Sequence, residues 1–151
     1  MNKALFAGSF DPFTNGHLDI LKQASEIFDE VIIAVAFNSE KKGFLPVEKR
    51  LGLIIKSVVG LDNVSVDSYE GLTVEYAKKN GVNVLVRGVR NPSDFEYEQQ
   101  IASVNKSLAP EIKTVFFTPK PENAFISSTM VREVYKTGGN ILNFIPHNLD
   151  I

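Results

Sequence analysis

Five short apolar runs punctuate the chain: "ALFA" (residues 4–7), "VIIAVAF" (31–37), "NVSVD" (63–67), "NVLVR" (83–87) and "TVFF" (114–117). All are short and rich in β-branched or aromatic side chains, so each reads as a strand. Between and after them the apolar positions recur every three or four residues. This predicts helices near Leu18 to Phe28, Val47 to Val59, Thr73 to Asn80, Asp94 to Leu108 and Ser128 to Lys136. In the first of these, Leu18, Leu21, Ala24 and Phe28 fall on one face. Buried strands alternating with helices predict an α/β fold, a parallel sheet with helices on both faces, because each parallel connection needs a crossover. At 151 residues and 44% hydrophobic, the chain suits one domain, residues 1–151, burying roughly 70% of its unfolded surface.

In open sheets of this kind ligands bind beyond the carboxyl ends of the strands. The first strand is followed by "GSFDPFTNGH" (8–17) and the second by "NSEKKGF" (38–44). "SYEGLT" (68–73) follows the third, "RGVRNPSDFEYE" (87–98) the fourth and "TPKPENAFISST" (118–129) the fifth. Four of these segments carry groups suited to phosphate: amides beside glycine or a helix start, Lys41 and Lys42, Arg87 and Arg90, and a hydroxyl cluster. The topology brings them to one edge of the sheet.

A formal net charge of −2 gives no broad basic footprint for nucleic acid or an acidic membrane, so a bound anion must be met locally. With no cysteine, disulfides, zinc thiolates and cysteine nucleophiles are excluded, which fits a reducing compartment. His17 and His147 are the only histidines and form no metal-binding pair. The longest clean apolar run is too short to cross a bilayer, and Ser9, Asp11 and Pro12 cut the N-terminal apolar stretch too early for a secretory signal. The expectation is a soluble cytoplasmic protein.

Two common nucleotide signatures are absent: no Gly-x-Gly-x-x-Gly follows the first strand, and no Gly-x-x-x-x-Gly-Lys-Ser/Thr occurs anywhere. Instead the first turn ends in Thr14-Asn15-Gly16-His17 at a helix start. Unpaired amides and a partial positive charge there suit a phosphate oxygen, which an imidazole can share.

The stretch "GSFDPFTNGH" resembles the Thr/His-x-Gly-His signature of the nucleotidyltransferase superfamily. With "RGVRNPSDFEYE" and "AFISSTMVRE" in this order and spacing, the chain resembles the bacterial phosphopantetheine adenylyltransferase family from about Lys3 to Pro146. The resemblance implies a single-domain Rossmann-like fold. It implies transfer of AMP from ATP to 4′-phosphopantetheine, giving dephospho-coenzyme A and pyrophosphate, the penultimate step of coenzyme A synthesis. It also implies magnesium carried by the ATP phosphates rather than by protein ligands, and a homohexamer.

Each residue also has a plain structural reading. A lone histidine at a helix start is often satisfied by backbone; the resemblance instead makes His17 the group that stabilises charge on the α-phosphate, with little share in the core. Ser9 and Phe10 could simply serve the turn, as Asp11-Pro12 does by fixing φ and bonding nearby amides. The resemblance places Ser9 against both substrates and Phe10 along the nucleotide. A charged loop such as "SEKKG" is usually solvated surface; the resemblance, carried over by position, instead implies that Lys41 faces the reacting phosphates and Lys42 stays outside. Arg87 and Arg90 carry guanidinium forks suited to phosphate. The resemblance assigns Arg87 to the acceptor, Gly88, Val89 and Arg90 to ATP, Glu98 to the nucleotide and Thr73 to the pantetheine arm, and counts His17, Lys41 and Arg90 as catalytic. "ISST" could be an ordinary N-cap, yet Arg132 in the following first turn opposes the helix dipole unless an anion shares the site. By resemblance Asn123, Ala124, Phe125, Ile126, Ser127, Ser128 and Thr129 bind ATP.

Three rivals remain in view. Nucleotidyltransferases acting on nicotinate mononucleotide or glycerol phosphate share the first motif but lack the paired "RGVR…DFEYE". An aminoacyl-tRNA synthetase needs a second domain and a Lys-Met-Ser-Lys-Ser segment. A non-catalytic nucleotide sensor needs a damaged first motif, whereas Gly16-His17 is intact.

Overall fold

The computed structural model describes residues 1–147; the last four residues of the expected domain lie outside the described residues. The strands are β1 (Lys3–Gly8), β2 (Glu30–Ala36), β3 (Val64–Tyr69), β4 (Val84–Gly88) and β5 (Lys113–Phe117). They alternate with α1 (Asn15–Ile27), α2 (Val47–Ser57), α3 (Thr73–Lys79) and α4 (Pro92–Leu108). A short 3-10 turn at Pro121–Asn123 and α5 (Ser128–Lys136) follow β5. All five expected strands and all five helices form, with ends shifted by a few residues.

The sheet order is β3-β2-β1-β4-β5 and every pairing is parallel. Alternation along the strands divides the core in two. Ala4, Phe6, Val31, Ile33, Val35, Val84 and Val86 face Ile20, Leu21 and Ala24 of α1 and Leu53 and Ile54 of α2. Leu5, Ala7, Ile32, Ala34 and Leu85 face Val74 and Ala77 of α3. Arg87 and Phe116, paired across β4 and β5, meet α4 through Glu98 and Phe95 respectively. Neighbouring strand residues point to opposite faces, so the buried middle of each central strand, 4–7, 31–35 and 84–86, is apolar on both faces.

The chain leaves β1 toward β2 and β3 and then crosses back to place β4 on the other side of β1. Between β1 and β4 the connections diverge in opposite directions, which opens a crevice at the carboxyl ends of those two strands.

Candidate active site

The turn after β1 is built around aromatic packing. Phe10 has a φ of +46°, a left-handed conformation that costs a bulky side chain roughly 1–2 kcal/mol. Its ring is buried against Phe6 and Phe13 at 5.1 and 5.7 Å, which offsets that cost. Thr14 then caps α1. Its Oγ1 accepts the His17 N–H at 3.3 Å, while its own N–H donates to His17 Nδ1 at 3.0 Å, closing a reciprocal capping box.

With Nδ1 an acceptor, the neutral imidazole carries its proton on Nε2. Phe13 stacks on the ring at 5.6 Å and Phe10 meets it edge-on at 5.0 Å. Burial pushes the His17 pKa down to about 3, and the charges of Arg90 and Arg87 push the same way. His17 is therefore a neutral Nε2–H donor at physiological pH. It also has three aromatic neighbours, counting Phe6 at 6.4 Å, so it takes a larger share in packing than the sequence suggested.

The cleft encloses about 360 Å³. Arg87 enters it from β4 but is not a loose fork. Nε and Nη2 donate to the two Glu98 oxygens at 2.6 and 2.7 Å, and Nη1 donates to the Ala7 carbonyl of β1 at 2.7 Å. Arg90 donates from Nε and Nη2 to Asp94, at 2.8 and 3.2 Å. Gly88 lets β4 approach α1, since a Cβ there would sit 3.0 Å from Ile20 Cγ1.

The segment after β5 is fixed to α1 by Asp19, a buried carboxylate. Asp19 accepts the Lys120 N–H at 2.7 Å and the side-chain amides of Asn123 and Gln23, both at 3.0 Å. Burial alone would raise its pKa; these donors outweigh burial and hold it below the usual carboxylate value. Ser127 caps α5 by accepting the Met130 N–H. Ser128 Oγ donates to the Pro12 carbonyl and Arg132 Nη1 to the Asp11 carbonyl, both at 2.8 Å. The N-termini of α1 and α5 thus border one cleft, with Arg87, Arg90 and Arg132 around it. Such a site suits a polyanion.

Of the residues singled out in the sequence, Ser9, Phe10, His17, Arg87, Gly88, Val89, Arg90, Glu98, Ile126, Ser127, Ser128 and Thr129 line this cleft. Five do not. Lys41 is exposed in a tight turn where its N–H donates to the Asn38 carbonyl. Thr73 pairs its hydroxyl with Tyr69 at 2.8 Å. Asn123 turns to Asp19 instead, Ala124 closes the 3-10 turn through Pro121, and Phe125 points outward against Phe144. The convergence of loops expected at the sheet edge therefore holds for β1, β4 and β5, whereas the lysine loop stands outside. Asp94, Tyr97, Arg132 and Pro119 line the cleft but were not among the candidate site residues. The i, i+4 spacing of Arg90 and Asp94 and the cation in the first turn of α5 were the available signals; Tyr97 had none.

Among the described residues no group of three His, Asp or Glu side chains could hold a metal ion, and both cleft carboxylates, Asp94 and Glu98, are engaged by arginine.

Residues 5–134 match the cytidylyltransferase-like family. Phosphopantetheine adenylyltransferases from Thermosynechococcus vestitus and Leptospira biflexa are 47% and 48% identical to the chain. The alignments span 97% and 95% of this chain and 87% and 89% of those proteins. This chain belongs to the phosphopantetheine adenylyltransferase family. The fold is similar to that of a putative nicotinate-nucleotide adenylyltransferase from Vibrio parahaemolyticus, with a TM-score of 0.69 over 97% of this chain and 95% of that one, at 19% identity. The cleft presents arginines, hydroxyls, two helix N-termini and one neutral imidazole to whatever it binds.

Proposed function

We propose that this chain transfers the adenylyl group of ATP to 4′-phosphopantetheine, releasing pyrophosphate and forming dephospho-coenzyme A. Membership in the family supports the reaction. The observation that carries the mechanism is His17, held as an Nε2–H donor at the α1 N-terminus, where burial and the charges of Arg90 and Arg87 keep it neutral. A neutral donor fixed in place can stabilise charge developing on a phosphoryl oxygen without changing protonation state. Arg90, Arg132 and the amino end of α5 would hold the triphosphate, with Ser9 and the Ser127–Thr129 segment beside it. Arg87, braced by Glu98, would face the acceptor. Lys41 would approach the reacting phosphates from its loop, and Thr73 would lie toward the pantetheine arm.

The acceptor is a phosphate whose second pKa is near 6, so it is largely anionic at neutral pH and needs no general base. Positioning two repelling anions in line supplies most of the rate. The residues fit magnesium that arrives on the nucleotide, because arginine occupies the cleft carboxylates; bound to the phosphates, it would neutralise charge there.

A homohexamer belongs to this proposal. In its support, α4 buries only Glu98 of its 17 residues and leaves Phe95, Tyr97, Val104 and Leu108 exposed, an apolar surface a second copy could cover. The cytoplasm, where ATP is maintained, is the proposed setting.

Incubation with ATP, magnesium and 4′-phosphopantetheine tests the reading by product mass. Dephospho-coenzyme A is expected; turnover of nicotinate mononucleotide in its place would overturn it.

A further inference from the structure

Asp11 belongs to the turn after β1, yet its side chain serves a different loop. Oδ2 accepts the Phe44 N–H at 2.7 Å and Oδ1 the Leu45 N–H at 2.8 Å. Arg50 of α2 stands 3.4 Å from Oδ2, and both side chains are under 10% exposed. Arg50 in turn donates to the carbonyls of Leu45 (2.8 Å) and Ser9 (3.4 Å). Gly43 lies over the pair: a Cβ there would overlap Arg50 Nη2 and sit 2.5 Å from Asp11 Oδ2. Only glycine lets the loop backbone reach the carboxylate.

The other end of the loop is fastened too, because Glu70, just after β3, accepts the Ser39 N–H at 2.5 Å. Between the two anchors stand Glu40, Lys41 and Lys42, all exposed. The segment carrying Lys41 is thus a short bridge, one end of which is fixed to the turn that presents Ser9 and His17.

We propose that Asp11 is a positioning residue: through the Phe44 and Leu45 amides and Arg50 it ties the Lys41 segment to the phosphate end of the cleft and sets where the Lys41 ammonium can reach. The inference rests on the adenylyl-transfer reading for what Lys41 meets, but the tether itself does not. An ammonium on a flexible stem is a point charge whose effect depends on where the backbone holds it. A misplacement of about 1 Å can cost on the order of 10²-fold in rate.

Asp11→Asn keeps the shape but offers one acceptor where two are used, and turns an amide N–H toward other donors. In hydrogen exchange on the free protein, the Phe44 and Leu45 amides should lose protection in this variant while β1 amides keep theirs. Unchanged protection at 44 and 45 would overturn the tether, whatever the substrate. Kinetically, Asp11→Asn should lower kcat about 10- to 100-fold with a smaller change in the KM for ATP, and should add little to Lys41→Ala. Multiplying effects in the double variant would overturn the coupling. If the wild type uses another acceptor, the function reading fails and the same cycle is run on that acceptor. If Asp11→Asn does not fold, Glu70→Gln tests the tether from its exposed end. A fall of a few fold that vanishes beside Lys41→Ala supports it; an equal fall in both backgrounds overturns it.

Discussion

The Thr14 N–H donates to His17 Nδ1 at 3.0 Å, and this one bond decides which imidazole nitrogen faces the cleft with a proton. The capping box that starts α1 and the orientation of the His17 imidazole are the same set of contacts.

A pH dependence of stability follows. The folded pKa of His17, about 3, lies below its ordinary value of 6.5, so the unfolded chain binds a proton that the folded chain refuses. Stability from this group is fully present above pH 6.5 and is lost as pH falls toward 3. Between pH 8 and pH 5 the loss should be about 2 kcal/mol. Urea unfolding at the two pH values, with His17→Gln removing most of the difference, checks this.

His17→Ala should lower kcat by about 10²- to 10³-fold, the usual effect of losing one preorganised donor. It also removes half of a capping box and a stacked ring, so a loss of roughly 1–2 kcal/mol in stability should accompany it. Turnover and thermal unfolding of the same preparation measure both. A near-normal rate would return His17 to a purely structural role.

Gly16 separates space from chemistry. A Cβ at Gly16 would sit 3.4 Å from the Ile126 carbonyl and 3.6 Å from that of Asn123, so alanine fits with little displacement and valine does not. Gly16→Ala should change the KM for ATP only slightly, whereas Gly16→Val should raise it about tenfold or more by displacing the 119–129 segment. Steady-state kinetics on the two variants gives the contrast.

Glu98→Gln leaves the Arg87 guanidinium without its carboxylate. Breaking a buried pair by removing one partner costs about 3–5 kcal/mol, and because the Arg87 side chain is 29% exposed the expected loss is about half of that. Acceptor affinity should fall as Arg87 loses its orientation. Chemical denaturation and acceptor KM report the two effects.

The stereochemistry at phosphorus should report direct transfer. With ATP made chiral at the α-phosphorus, one displacement inverts the centre, and passage through an adenylylated residue retains it. Inversion is expected, together with no label from α-labelled ATP on denatured protein.

The sequence by itself determined the elements and most of the cleft. Strands such as "VIIAVAF" and the apolar stripe of α1 are written in local periodicity, and a parallel α/β order leaves few places for a ligand. The turn of Ser9 to His17 and the segments at Arg87–Arg90 and Ile126–Thr129 follow strands whose carboxyl ends share one edge, so their meeting was legible. What only the tertiary structure decided lies in contacts between distant residues. Asp19 reads as a polar position next to an apolar stripe, and its burial beneath Lys120 and Asn123, about a hundred residues on, leaves no trace in local spacing. Asp11 was expected to bond nearby amides and instead bonds those of Phe44 and Leu45, 33 and 34 residues away. Lys41 does not line the cleft itself, and what fixes its loop beside it, the bonds from Asp11 to the Phe44 and Leu45 amides, spans residues too far apart for local spacing to report. Periodicity reports which face of an element is buried; which polar groups then satisfy each other depends on how the faces dock, and that information exists only once the chain has closed on itself.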